Sequence, residues 1–199
     1  MRVALFGGSF DPPHHGHIAI ASAAANAFEL DSVLFAPTGY QPLKPEGASA
    51  SFDDRLAMVE LVCTEDRRFA TSNLDSPRPD GLPNYTVETL SRLKEMMPEA
   101  KLYNLVGADS FLDLPRWRLP ERLLELAEWI VVSRPGSSLR DIDTLDLTPT
   151  ERARVHTIED VLEDVSSTEL RRRLETGEPI GDLLDSSVVR YIREHQLYS

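Results

Sequence analysis

Short apolar runs alternate with amphipathic stretches along almost the whole chain, and this rhythm constrains the fold more than any single residue. Arg2 to Phe6, Ser32 to Ala36, Phe69 to Ser72, Lys101 to Val106 and Trp129 to Ser133 are strand candidates, with a sixth at Val155 to Ile158. The first, fourth and fifth are nearly continuous in apolar side chains, the pattern of strands buried on both faces. Helical patterns lie between them, at Gly16 to Phe28, Asp53 to Cys63, Thr86 to Met97 and Glu121 to Glu128. Ser51 with Asp54 three residues on is a capping-box-like start, and Pro98 cannot continue the third helix. Two short helices, Thr168 to Glu175 and Ser187 to Gln196, are expected to finish the chain. Strand–helix–strand alternation of this kind builds an α/β fold, a doubly wound and mostly parallel sheet with helices on both faces. Pro37 to Ala50 and Asp75 to Asn84 are rich in Pro, Gly and Ser, but the rhythm resumes after each. They read as surface loops, and residues 1–199 read as one domain.

Charge and cysteine usage narrow the function classes. The chain has 21 Lys+Arg against 33 Asp+Glu, a formal net charge of −12, which disfavours general nucleic-acid binding. Cys63 is the single cysteine, so neither an intrachain disulfide nor a cysteine-built zinc site is available. No apolar run approaches the ~20 residues of a membrane span. The opening Met-Arg-Val-Ala-Leu-Phe turns to glycine too soon for a signal peptide. The expected setting is cytoplasmic.

The segment with most chemistry is Gly7-Gly8-Ser9-Phe10-Asp11-Pro12-Pro13-His14-His15-Gly16-His17, between the first strand and an alanine-rich helix. In open parallel sheets ligands bind beyond the carboxyl ends of strands, and the first strand–helix turn is a favoured place. Gly7 and Gly8 would let a ligand approach the backbone. His14 and His17, three residues apart at a helix entry, would share one side of it, where free N–H groups and the dipole favour an anion. Both imidazoles are expected to face a solvent-filled cleft. A His-x-x-His pair also suits a metal, with Asp11 or His15 as the available third ligand. Contiguity at the expected topological position favours a phosphate cradle.

This segment resembles the Gly-Gly-Ser-Phe-Asp-Pro-x-His-x-Gly-His signature of the HxGH nucleotidyltransferase superfamily, most closely bacterial nicotinate-nucleotide adenylyltransferase. The resemblance implies a Rossmann-like fold and transfer of an adenylyl group from ATP to nicotinate mononucleotide, with deamido-NAD and pyrophosphate as products. It implies that catalytic His14 and His17 contact the ATP phosphates, beside Gly7, Gly8, Ser9 and Phe10. Pro37 to Lys44 resembles the family's loop after the second strand. Leu43 stands where a histidine is usual, while Lys44 keeps the phosphate-side cation. Asn84-Tyr85-Thr86-Val87-Glu88-Thr89-Leu90 resembles the motif beside the nicotinate pocket, implicating Tyr85 and Thr86. Gly107-Ala108-Asp109 is similar to the family's Gly-x-Asp, with Asp109 on the adenosine ribose. Trp117 would stack on the pyridine ring, and Arg134, in Arg-Pro-Gly, would face the adenine or phosphates. Val165-Ser166-Ser167-Thr168-Glu169-Leu170-Arg171 resembles the second phosphate motif, placing Ser167, Thr168 and Arg171 on the triphosphate.

By that resemblance the partners are ATP and nicotinate mononucleotide, and Mg²⁺ rides on the ATP phosphates without dedicated protein ligands. Transfer to nicotinamide mononucleotide or phosphopantetheine is the nearest alternative. A nucleotide-binding module without chemistry is the alternative of a different class. The acidic charge and the length disfavour an aminoacyl-tRNA synthetase.

Overall fold

The apolar runs become six strands in a computed structural model that describes residues 1–43, 46–133, 139–159, 161 and 165–199. They are β1 (Arg2–Gly8), β2 (Ser32–Pro37), β3 (Phe69–Thr71), β4 (Lys101–Gly107), β5 (Glu128–Val132) and β6 (Val155–Ile158). All pair in parallel in one sheet of order β3-β2-β1-β4-β5-β6. The chain winds outward from β1 to β3 and then returns to the other side of β1 as β4. The order therefore reverses between β1 and β4, and a crevice opens beyond their carboxyl ends.

Alternation along the strands assigns side chains to the two faces. Val3, Leu5, Leu102, Val106, Trp129 and Val131 pack under α3 (Thr86–Met96) and α5 (Pro120–Leu126), through Leu90, Leu93 and Leu123. Ala4, Phe6, Tyr103, Leu105, Ile130 and Val132 meet α1 (His15–Ala27) and Val59 of α2 (Phe52–Cys63). Three fully buried alanines of α1, Ala21, Ala24 and Ala25, let that helix approach the sheet closely. A third cluster joins Met58 and Val62 of α2 to Leu170 of α7 (Ser167–Thr176) and to Val188 and Ile192 of α8 (Ser186–Glu194). The late helices are thereby anchored beside the first strand–helix turn.

The expected helix caps form in part. Ser51 Oγ accepts the Asp54 N–H at 3.1 Å, and Ser166 Oγ accepts that of Glu169 at 3.1 Å. The Glu169 carboxylate turns to Arg172 and Arg173, so the cap at Ser166 is one-sided. Glu128 is not the end of a helix, as the amphipathic pattern suggested. It opens β5, paired with Tyr103, and its carboxylate is held by Lys101 at 2.8 Å and His156 at 2.7 Å. Two short helices, α4 (Ala108–Leu112) and α6 (Pro149–Arg152), were not expected from the pattern. No described helix is long and apolar enough to cross a membrane.

Candidate active site

A cavity of about 690 Å³ opens where β1 and β4 end. Its walls bring together five stretches of the sequence. Gly7, Gly8, Ser9, Phe10, His14 and His17 come from the first turn, and Gly107 and Asp109 from the end of β4. Tyr85, Thr86 and Trp117 come from the start of α3 and the stretch before α5, and Ser167, Thr168 and Arg171 from α7. Lys44 and Arg134 lie outside the described residues.

The histidines are built into the helix entry. His14 is the N-cap of α1, and its backbone N–H donates to His17 Nδ1 at 3.2 Å. A neutral imidazole whose Nδ1 accepts carries its proton on Nε2, so the donor of the His17 ring is its Nε2–H. The two rings lie face to face, centroids 3.7 Å apart and tilted by 30°. His14 lines the cavity, but with less open exposure than expected. It is 2% exposed, packed against its partner ring.

The two glycines have different reasons. A Cβ on Gly7 would meet nothing within 4 Å, so that backbone is open, as a phosphate approach requires. A Cβ on Gly8 would lie 3.2 Å from the Phe10 ring, so Gly8, which also lines the cavity, makes room for Phe10. Phe10 in turn is buried with its ring edge-on to His17, centroids 4.9 Å apart, and braces that imidazole from below. Gly107 makes a similar allowance, since a Cβ there would lie 2.7 Å from Asp109 Oδ1.

Two charged residues organise this turn, Arg55, which the sequence pattern passed over, and Asp11, which it offered as a third metal ligand. Arg55 of α2 is 2% exposed and donates to Ser9 C=O at 2.6 Å and to Thr38 C=O at 2.9 Å, tying the loops after β1 and β2 together. Burial lowers the Arg55 pKa, with the Asp11 charge opposing that shift. Asp11, equally buried, accepts from Ser49 N–H at 2.7 Å, Ala50 N–H at 3.0 Å and the Tyr198 hydroxyl at 2.7 Å. Burial, then the Asp11 charge, push the Tyr198 phenol up, so it remains a donor. The α7 motif joins the same knot. Arg171 Nη1 donates to Asp11 C=O at 2.7 Å, and Ser167 Oγ to Pro12 C=O at 3.0 Å. In this structure Ser167 and Arg171 brace the first turn as well as line the cavity.

The other half of the cavity is aromatic. Tyr85 is the N-cap of α3, and the Arg118 guanidinium sits 4.5 Å above its ring. Trp117 is half-buried and edge-on to Trp129 at 5.6 Å, between the core and cavity roles a charged-flanked tryptophan suggests. Asp75 is buried here, where it accepts the Thr89 hydroxyl at 2.6 Å. Burial raises its pKa, opposed by hydrogen bonds from Thr89 and Thr38. Among the described residues, the group of His, Asp and Glu at metal-ligand spacing is His15, Glu65 and Asp185. None of the three lines the cavity, and Asp185 already caps α8 through the Ser187 N–H.

Comparison with known proteins agrees with this geometry. The cytidylyltransferase-like family model matches residues 5–173. A Roseiflexus sp. (strain RS-1) protein named "Probable nicotinate-nucleotide adenylyltransferase" is 43% identical over 197 residues, covering 98% of this chain and 97% of its own. A Neisseria meningitidis serogroup B protein of the same name is 40% identical over 201 residues, covering 99% and 98%. Plasmodium falciparum nicotinic acid mononucleotide adenylyltransferase, solved in complex with NaAD, superposes with a TM-score of 0.77 at 17% identity over 99% of this chain and 97% of its own, a likeness of fold. With the model across most of the chain and relatives at about this identity end to end, the chain belongs to the cytidylyltransferase-like family and, within it, to the nicotinate-nucleotide adenylyltransferases.

Proposed function

We infer that the protein transfers the adenylyl group of ATP to nicotinate mononucleotide, releasing pyrophosphate and forming deamido-NAD. The observation that carries this reading is one continuous cavity with two unlike halves at the β1/β4 switch point. One half is a glycine turn and helix entry bearing two histidines. The other is aromatic and sits at the start of α3. A triphosphate suits the first, and a flat ring with an acidic substituent suits the second.

In this reading a phosphate oxygen of the mononucleotide attacks the α-phosphorus of ATP in line. As that bond forms, the bond from the α-phosphorus to the bridging oxygen breaks, and pyrophosphate leaves with the electron pair. The nucleophile is already an anion, so the chain needs to supply alignment and donors for the growing charge and no protein nucleophile. The His17 Nε2–H donates to the phosphates, and His14 holds the His17 ring and the helix entry in place as its stacked partner. Gly7, Gly8, Ser9 and Phe10 receive the triphosphate along their backbone, with Thr168, Ser167 and Arg171 opposite. Asp109 takes the adenosine ribose, beside Gly107. Lys44 and Arg134 are assigned to the ATP side by resemblance alone. Mg²⁺ carried by the ATP phosphates would supply neutralisation of the triphosphate charge. Asp11 and Asp75 already accept protein donors, which fits a metal carried by the substrate. Residues 1–199 act as one domain, with α7 and α8 supplying the second phosphate motif.

The acceptor half accounts for substrate choice. Trp117 and Tyr85 offer faces to a pyridine, and the first N–H groups of α3 have no acceptor within the helix. A carboxylate there gains about 0.3–1 kcal/mol from the dipole. Charge-assisted hydrogen bonds add about 1.5–3 kcal/mol, so at least a roughly tenfold preference for the acid over the amide follows. The test is pyrophosphate release from ATP and Mg²⁺, with nicotinate mononucleotide, nicotinamide mononucleotide or phosphopantetheine as acceptor. Release that is fastest with the acid supports the reading. Release that is equal for all three, or absent, refutes it.

A further inference from the structure

β4 is apolar from Leu102 to Val106 except at one position. Asn104 is 2% exposed, yet it lines the cavity, and its Nδ2 has no hydrogen-bond partner among the described residues. A buried amide donor left unpaired is destabilising, and a native structure that keeps one calls for a reason. Strand alternation and register say where it is. Asn104 shares a sheet face with Leu102 and Val106, between Leu5 of β1 and Trp129 of β5, under α3. Trp129 is the ring on which Trp117 stands edge-on, so Asn104 belongs to the aromatic, acceptor half. A second buried donor without a partner, Trp117 Nε1, lines the same half. Two buried N–H groups without a partner among the described residues, in the half read above as the site of a ring carboxylate, are donors suited to such an acceptor.

We propose that Asn104 is a substrate-contacting residue, whose amide donates, directly or through one buried water, to the ring carboxylate of the pyridine mononucleotide. The proposal rests on the adenylyl-transfer reading above. It makes Asn104 a residue kept for specificity against the interest of stability, because a leucine of similar shape would pack there without a polar group to desolvate.

The test uses the full chain carrying Asn104→Leu and Asn104→Asp. For Asn104→Leu the KM for nicotinate mononucleotide should rise about tenfold or more, as on loss of a charge-assisted bond, with the KM for ATP within about twofold. Its Tm should equal or exceed that of the parent. Asn104→Asp sets a carboxylate against the substrate's own and should erase the preference for acid over amide. Should Asn104→Leu fail to fold, the acid-to-amide ratio of Asn104→Asp decides alone. A lower Tm with unchanged KM for the acceptor would show a structural amide paired to a water, and an unchanged ratio in Asn104→Asp would equally overturn the proposal. Parent enzyme that releases no pyrophosphate with either nucleotide would refute the adenylyl-transfer reading instead.

Discussion

Replacing Asp11 by asparagine removes a charge and one acceptor without changing shape, and the structure sets what that is worth. Oδ1 accepts both the Ala50 N–H and the Tyr198 hydroxyl, while Oδ2 accepts the Ser49 N–H and lies 3.5 Å from Arg171 Nη1. The best asparagine rotamer keeps its oxygen at the doubly bonded position and turns its NH₂ toward the Ser49 N–H. The asparagine NH₂, buried with its side chain, then faces the part-buried Ser49 N–H without an acceptor, at about 1–3 kcal/mol, and the remaining bonds lose their ionic character, at about 1 kcal/mol more. The sum is ~2–4 kcal/mol. Tyr198→Phe removes one donor and leaves the carboxylate its other partners, so about 1 kcal/mol is expected. With a urea m-value near ~2 kcal/mol/M, Asp11→Asn should lower the midpoint by about 1–2 M and Tyr198→Phe by about half a molar. The fluorescence of Trp117 and Trp129 reports the transition. Equal shifts for the two variants, or a parental midpoint for Asp11→Asn, would refute Asp11 as the hub of the first turn.

Further expectations follow from the same geometry. His17→Ala should lower kcat by about 10²-fold or more in steady-state assays with little change in Tm, as on loss of a charge-stabilising donor. His14→Ala should lower both kcat and Tm, because that ring is buried against its partner. Gly107→Ala would drive a Cβ into Asp109 Oδ1 and should raise the KM for ATP about tenfold, leaving the KM for the acceptor nearly unchanged. At the opposite end of the sheet, burial pushes the Glu128 carboxyl up, but hydrogen bonds from Lys101 and His156 outweigh it and hold it below the usual range. Its contribution is therefore present above the unfolded glutamate pKa and is lost as pH falls through the folded value. With Lys101 about half exposed it amounts to less than about 1 kcal/mol, and Glu128→Gln should flatten thermal stability across pH ~5 to 3 by that amount.

The sheet was legible in the sequence because β1, β4 and β5 are nearly continuous in apolar side chains, the pattern of strands buried on both faces, and the shorter edge strands follow in the same rhythm. β6 was found to the residue, and the other strands to within a residue or two. α4 and α6 were not, since five and four residues carry too little periodicity to stand above their surroundings. The linear motifs at Gly7 to His17 and Val165 to Arg171 marked the site, but not the roles within it. Gly8 read as a glycine for ligand approach, and the structure adds a second demand on it, room for the Phe10 ring. Arg55 falls inside the helical pattern at Asp53 to Cys63, which does not mark it as buried. What buries it is a pair of carbonyls on two loops, 46 and 17 residues away along the chain. Asp11 and Tyr198 are 187 residues apart, and no local pattern announces that contact. The signal for Asn104 was present, a polar residue inside an apolar run, but its meaning depended on knowing which half of the cavity that run would floor.

The central claim is the direction of group transfer, and isotope position tests it most directly. Nicotinate mononucleotide labelled with ¹⁸O in its phosphate is incubated with unlabelled ATP, Mg²⁺ and the protein, and the products are weighed by mass spectrometry. In-line attack of the nucleotide's phosphate oxygen on the α-phosphorus predicts deamido-NAD that keeps the whole label, and pyrophosphate that carries none. Label in the pyrophosphate, or ATP consumed without a labelled dinucleotide, would contradict the account.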